Sequence, residues 1–114
     1  MYFVDSDHEK NFTKLISHVE RRWNKEYTSC LYVLAADEEL RRKAARYIKQ
    51  DGIDWEAIWE QDWSSGYRLL LQLAESLFKS SGSIELAYGL GIWGEELFLV
   101  AMQAIYIRRQ GIRD

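Results

Sequence analysis

Residues 64–82, SSGYRLLLQLAESLFKSSG, hold the clearest periodic signal in the chain. Leu70, Leu73, Ala74, Leu77 and Phe78 recur three and four residues apart, the spacing that lines one side of an α-helix. Ser64 and Ser65 offer side-chain oxygens to the orphan N–H groups of a helix start, and Ser80-Ser81-Gly82 supplies a polar, glycine-containing stop. A helix reaching about Lys79 is therefore expected. Its single apolar stripe has to be covered, and the rest of the chain is rich in segments of the same kind.

Upstream, Ser6-Asp7-His8-Glu9 has the form of a capping box, in which hydroxyl and carboxylate satisfy orphan N–H groups at a helix start. Phe12, Leu15, Ile16, Val19 and Trp23 follow it at helical spacing, with Lys10, Lys14, Glu20 and Arg21 off the stripe. A second helix is expected over 26–36, turning Tyr27, Cys30, Leu31 and Leu34 inward. Asp37 then caps a third, reaching about Gln50, with Glu38 and Glu39 favourably placed in its first turn. Glu38–Arg42 and Glu39–Lys43 are i,i+4 pairs, and Gly52 supplies a stop. Asp54 caps a short amphipathic segment to about Asp62.

Downstream, Ser83 can cap a short helix to about Leu90. A final long helix over 93–110 carries Leu97, Val100, Ala101, Ala104, Ile105 and Arg108 before Gly111 closes it. No alternating run bounded by turn residues suggests a strand. The expected fold is all-α, a compact bundle of five to six helices forming a single domain over 1–114.

Composition agrees. A chain of 114 residues suits one core, and 47% hydrophobic content supplies the material for it. Proline is absent, which leaves turns to glycine and to short polar caps. Cys30 is the only cysteine; that excludes an internal disulfide and a cysteine-rich zinc site, and fits a reducing, cytoplasmic setting. Charge close behind the N-terminus leaves no room for a signal peptide's apolar region. The most apolar stretch, 97–107, is interrupted by Gln103 and spans about half of the roughly 20 residues a bilayer crossing needs. A net charge of −3 argues against broad phosphate-backbone binding.

Motifs that promise chemistry mostly dissolve on inspection. Gly89-Leu90-Gly91-Ile92-Trp93-Gly94 matches G-x-G-x-x-G but is preceded by a helical segment, and Glu95 and Glu96 stand where a pyrophosphate would sit. His8 and His18 are the only histidines, and neither belongs to a Glu-x-x-His or His-x-x-x-His pattern, so no metal and no cofactor is expected. Cys30 lies on a helix stripe and reads as a core thiol. The basic cluster Arg41, Arg42, Lys43, Arg46 and Lys49 is followed by acids that would meet phosphates, so nucleic acid is not the expected partner.

Residues 51–63 are the most distinctive: five acids, three tryptophans and no Lys or Arg. One reading is an acidic-aromatic face for a basic protein partner, carried by Asp54, Glu56, Glu60, Asp62 and Trp63. The other sends Trp55 and Trp59 into the core and leaves the acids solvated. A homodimer that consumes the tryptophans is a third arrangement.

The chain resembles a family of small proteins of unknown function found in Gram-positive bacteria and their phages. The matching elements are Phe3-x-Asp5-x-x-His8-Glu9-x-Asn11-Phe12, Leu31-Tyr32-Val33-Leu34-Ala35, Ser64-Ser65-Gly66-x-Arg68-Leu69 with Leu73-Ala74, and Ala104-Ile105-x-Ile107-Arg108. Glu75-Ser76-Leu77-Phe78 departs from the asparagine-containing stretch usual there. The resemblance implies no assigned activity. It raises His8, Asn11 and Arg68 as parts of one polar site, and it implies a phage-encoded, host-directed protein such as an inhibitor of a bacterial defence system. Two functions follow as expectations: a non-enzymatic protein-binding module acting through the acidic-aromatic face, or a small-ligand binder or enzyme built on His8, Asn11 and Arg68.

Overall fold

Asp5, rather than Ser6, starts the first helix: its Oδ1 accepts the His8 N–H at 2.8 Å. The computed structural model describes residues 1–19 and 24–112, and α1 spans Ser6–His18. The cap sits one position ahead of the expected box: the Asp5 carboxylate takes the His8 N–H, where a cap at Ser6 would take the Glu9 N–H. Phe12, Ile16 and Val19 bury the expected stripe. Glu20, Arg21 and Trp23 lie outside the described residues.

Asn24 caps α2 (Lys25–Leu34) by accepting from the N–H groups of Glu26 and Tyr27. Its sequence suggests one buried face, yet every residue from Tyr27 to Leu34 is buried. The reason is tertiary: α1, α5 (Ser65–Lys79) and α7 (Glu95–Gln110) all pack on α2, which is the axle of the fold. Two hydroxyls caught in this dry setting are satisfied within the helix, Thr28 by the Asn24 carbonyl and Ser29 by that of Lys25. Cys30 is fully buried, and burial pushes its thiol pKa up, so it packs as a neutral group.

Asp37 caps α3 (Glu38–Ala44) through the Leu40 N–H. The expected continuation to residue 50 does not form. The chain tightens into a 3₁₀ turn at Ala45–Tyr47 and then opens into an antiparallel ladder of β1 (Ile48–Lys49) and β2 (Gly52–Ile53), pairing Ile48 with Ile53. Ile48 and Ile53 pack on the core from this extended backbone, and the Asp54 N–H closes the hairpin on the Tyr47 carbonyl at 2.9 Å. Among the described residues this is the only sheet, so the fold is all-α apart from one two-residue ladder.

Asp54 caps α4 (Trp55–Trp59) as expected. α5 buries Leu70, Leu73 and Ala74 from the anticipated stripe and ends at Ser80, held in the left-handed region at φ 58°. α6 (Leu86–Ile92) follows, then α7, which Gly111 closes at φ 80°. Seven helices form among the described residues, more than the five or six expected, because both short segments close complete turns. One inward assignment fails: Ile105 is 36% exposed, and Ile107 takes the buried place, since the inner face of α7 is Val100, Ala101, Ala104 and Ile107.

Candidate functional site

His8 is fully buried at the start of α1, between the rings of Phe3 (5.1 Å, edge-on) and Tyr32 (4.6 Å). Its Nδ1 accepts the Val4 N–H at 3.1 Å, and its Nε2 lies 2.9 Å from the Tyr32 carbonyl. An amide N–H can only donate, so Nδ1 carries the lone pair and Nε2–H donates to Tyr32; both ring nitrogens are used. The Tyr32 hydroxyl donates to the Tyr2 carbonyl, and the Tyr2 N–H to Gln103 on α7. His8 is thereby a fastener that ties the first four residues to α2 and α7.

Burial lowers the His8 pKa below its ordinary value of 6.5. As pH falls through about 6.5 the unfolded chain takes up a proton that the folded chain refuses, so stability falls in that window and levels off below the folded pKa. Urea unfolding at a series of pH values from about 7.5 to about 5 should show that loss, and the ring resonances of His8 should titrate later than those of a free imidazole. A stability that rises on acidification through that range would contradict the assignment.

The three members of the expected polar site do not meet. His8 points inward with both nitrogens occupied, and Asn11 donates to the Asp7 carbonyl within its own helix at 2.8 Å. Arg68 is exposed on α5, and among the described residues its side chain has no hydrogen bond or ion pair to either. The groove of about 500 Å³ between the N-terminal residues and α7 is lined by Tyr2, Leu99, Met102 and Tyr106, and contains none of the three. No group of three or more His, Cys, Asp or Glu suited to a metal occurs among the described residues, and none of their helices is long and apolar enough to cross a membrane.

The acidic-aromatic face survives only in its acids. Asp54, Glu56, Glu60 and Asp62 are exposed, but Trp55 and Trp63 are buried at 5% and 7%. Trp63, expected at the partner surface, goes into the core because the chain folds back after α4: its indole N–H donates to the Ile58 carbonyl at 2.9 Å, and the Lys43 ammonium sits 4.8 Å over its ring. Trp59 is half-buried and donates to Glu75. The basic cluster is also largely occupied. Arg41 donates to the Ala35 carbonyl and Lys43 to Glu39, the one expected i,i+4 pair of the two that forms among the described residues.

What sequence reasoning missed is the exposure of α6, a helix it anticipated to about Leu90. Leu86, Tyr88, Leu90 and Ile92 are 41, 54, 48 and 39% exposed. They cannot all be covered, because residues two apart on a helix point to different sides. The helix seats itself on Trp93 through Gly89, which is buried: a Cβ there would lie 2.8 Å from the indole ring. Trp93 is locked in turn by its N–H bond to the Gly66 carbonyl at 3.0 Å. The letters that mimic a dinucleotide fingerprint are thus a helix with a bare contact point, and the only available sequence signal was an apolar segment with no single buried phase.

Two glycines of α6 should respond oppositely to alanine. Gly89→Ala gains up to about 1 kcal/mol of helix propensity but forces a Cβ into the Trp93 ring, an overpacking cost of about 1–3 kcal/mol. Net destabilisation and a changed tryptophan emission are expected. Gly91 has nothing within 4 Å of an added Cβ, so Gly91→Ala should stabilise by about 0.5–1 kcal/mol. Chemical denaturation of the pair checks both signs.

A family model described as a family of unknown function (DUF6075) matches residues 1–112. No curated protein and no solved structure matches the chain.

Proposed function

The chain belongs to the family of unknown function DUF6075, and for this member we propose the role of a non-catalytic protein-binding module anchored by α6. The observation that carries this is the exposure of Leu86, Tyr88, Leu90 and Ile92 on one short helix. Several exposed aromatic and aliphatic side chains on one short segment are the material of interface anchors, whereas singly scattered ones need no explanation. The exposed carboxylates of Asp54, Glu56, Glu60 and Asp62 keep a part in this proposal as a negative field that speeds encounter with a basic partner.

The resemblance to a family found in Gram-positive bacteria and their phages extends the proposal: a phage-encoded cytoplasmic protein that engages a component of its host's defence machinery and inhibits it. Affinity capture from host lysate with the wild type and with α6 variants tests the reading. A protein retained by the wild type and released by changes at Leu90 or Tyr88 supports it. A partner retained by every α6 variant, or a metabolite whose stabilising effect disappears in Arg68→Ala, would favour the rival small-ligand reading instead.

A further inference from the structure

We propose, resting on the reading of α6 as the contact, that its partner presents a cationic amphipathic helix: an apolar stripe laid along α6, flanked by Lys or Arg.

The shape of α6 argues for a helix. Leu86 and Leu90 lie one turn apart, as do Tyr88 and Ile92, so the exposed side chains form two ridges rather than a scattered set. Ala87 and Gly91, also one turn apart, fall between those ridges on the side turned away from the Gly89–Trp93 seat. Ala87 and Gly91 are exposed, and a Cβ at Gly91 would meet nothing within 4 Å. That row of small residues, flanked by Leu90 on one side and Tyr88 on the other, lets the backbone of another helix approach closely.

Charge selects which helix. Glu85 precedes α6 directly, and Glu95 and Glu96 follow two residues after Trp93; all three are exposed. Glu95 and Glu96 favour the dipole of α7 from its first turn, but among the described residues none of the three carboxylates has an ion-pair partner. The sequence contains no Lys or Arg between Lys79 and Arg108. Along the chain, α6 is therefore bracketed by negative charge with no ion-pair partner among the described residues. A second copy would set these acids against their own counterparts, and an anionic lipid surface would repel them, whereas flanking Lys or Arg on a partner helix meets them.

The test uses the full chain and labelled synthetic amphipathic helices of about 20 residues. They share one leucine stripe and differ only in Lys, Gln or Glu flanks. Fluorescence anisotropy should show the Lys-flanked helix binding at least about tenfold more tightly than the Glu-flanked one, a gap that narrows as salt is raised. Gly91→Leu, which fills the row of small residues without touching the core, should weaken binding at least about tenfold. Equal binding of Lys- and Glu-flanked helices, indifference to Gly91→Leu, an α6-dependent dimer in sedimentation, or uptake onto phosphatidylcholine–phosphatidylglycerol vesicles would each overturn the assignment. Loss of the flank preference with continued dependence on Leu90 overturns the cationic helix alone. Binding indifferent to Leu90 removes α6 as the contact altogether.

Discussion

Leu90→Asp is expected to abolish partner capture while leaving the melting temperature almost unchanged. Leu90 is 48% exposed, so a carboxylate there stays in water and desolvates nothing in the free protein. Surface changes of this kind usually move stability by no more than about 0.5 kcal/mol. In a complex the same carboxylate sits among apolar side chains at the centre of a contact, where losing an anchor costs about 2 kcal/mol or more, roughly thirtyfold in affinity. The neighbouring Glu85, Glu95 and Glu96 add repulsion of like sign. Tyr88→Ala should act in the same direction without introducing charge, which separates loss of packing from charge burial. Quantitative capture beside circular-dichroism melting distinguishes these outcomes: undiminished capture by both variants would remove α6 as the anchor.

Leu31→Ala should do the reverse, destabilising the protein without touching any surface. Leu31 is fully buried on α2, the helix against which α1, α5 and α7 pack. Truncating a leucine in such a place removes transfer free energy and leaves a cavity that rigid neighbours cannot fill, at about 2–5 kcal/mol. For a domain near 100 residues that corresponds to a melting point lower by about 8–20 °C. Near-wild-type melting would mean that the core is not organised around α2. Together the two substitutions separate what holds the fold from what meets the partner.

The legible part of this fold is the part set by local physics. Asp37 and Asp54 cap the helices that follow them because a carboxylate three residues ahead of an orphan N–H is sufficient. Leu70, Leu73 and Ala74 face the core because their spacing matches the helical period. Illegible were features decided at a distance. His8 is buried because a carbonyl 24 residues away accepts its Nε2–H. Trp63 enters the core because the Ile58 carbonyl and Lys43 receive it after a reversal of the chain, which no stripe records. α2 is apolar enough on one side to predict a helix, but its burial on all sides depends on three partners arriving from elsewhere.

Less of the candidate site was legible, for the same reason. Segment 51–63 stands out in the sequence by its acids and tryptophans, but composition does not say which side of the surface an indole ends on. Segment 86–92 draws the eye only by its glycines, and its apolar residues follow no single buried phase. Its character emerges only once Gly89 is seen to take the single buried position, leaving four large apolar side chains without cover.

The most direct test is hydrogen exchange of the full chain with and without its captured partner. The proposal requires new protection concentrated on the amides of 85–96, with the rest of the chain close to its free rates. Protection confined to 54–62, or to the surroundings of His8, Asn11 and Arg68, with α6 exchanging as before, would contradict it.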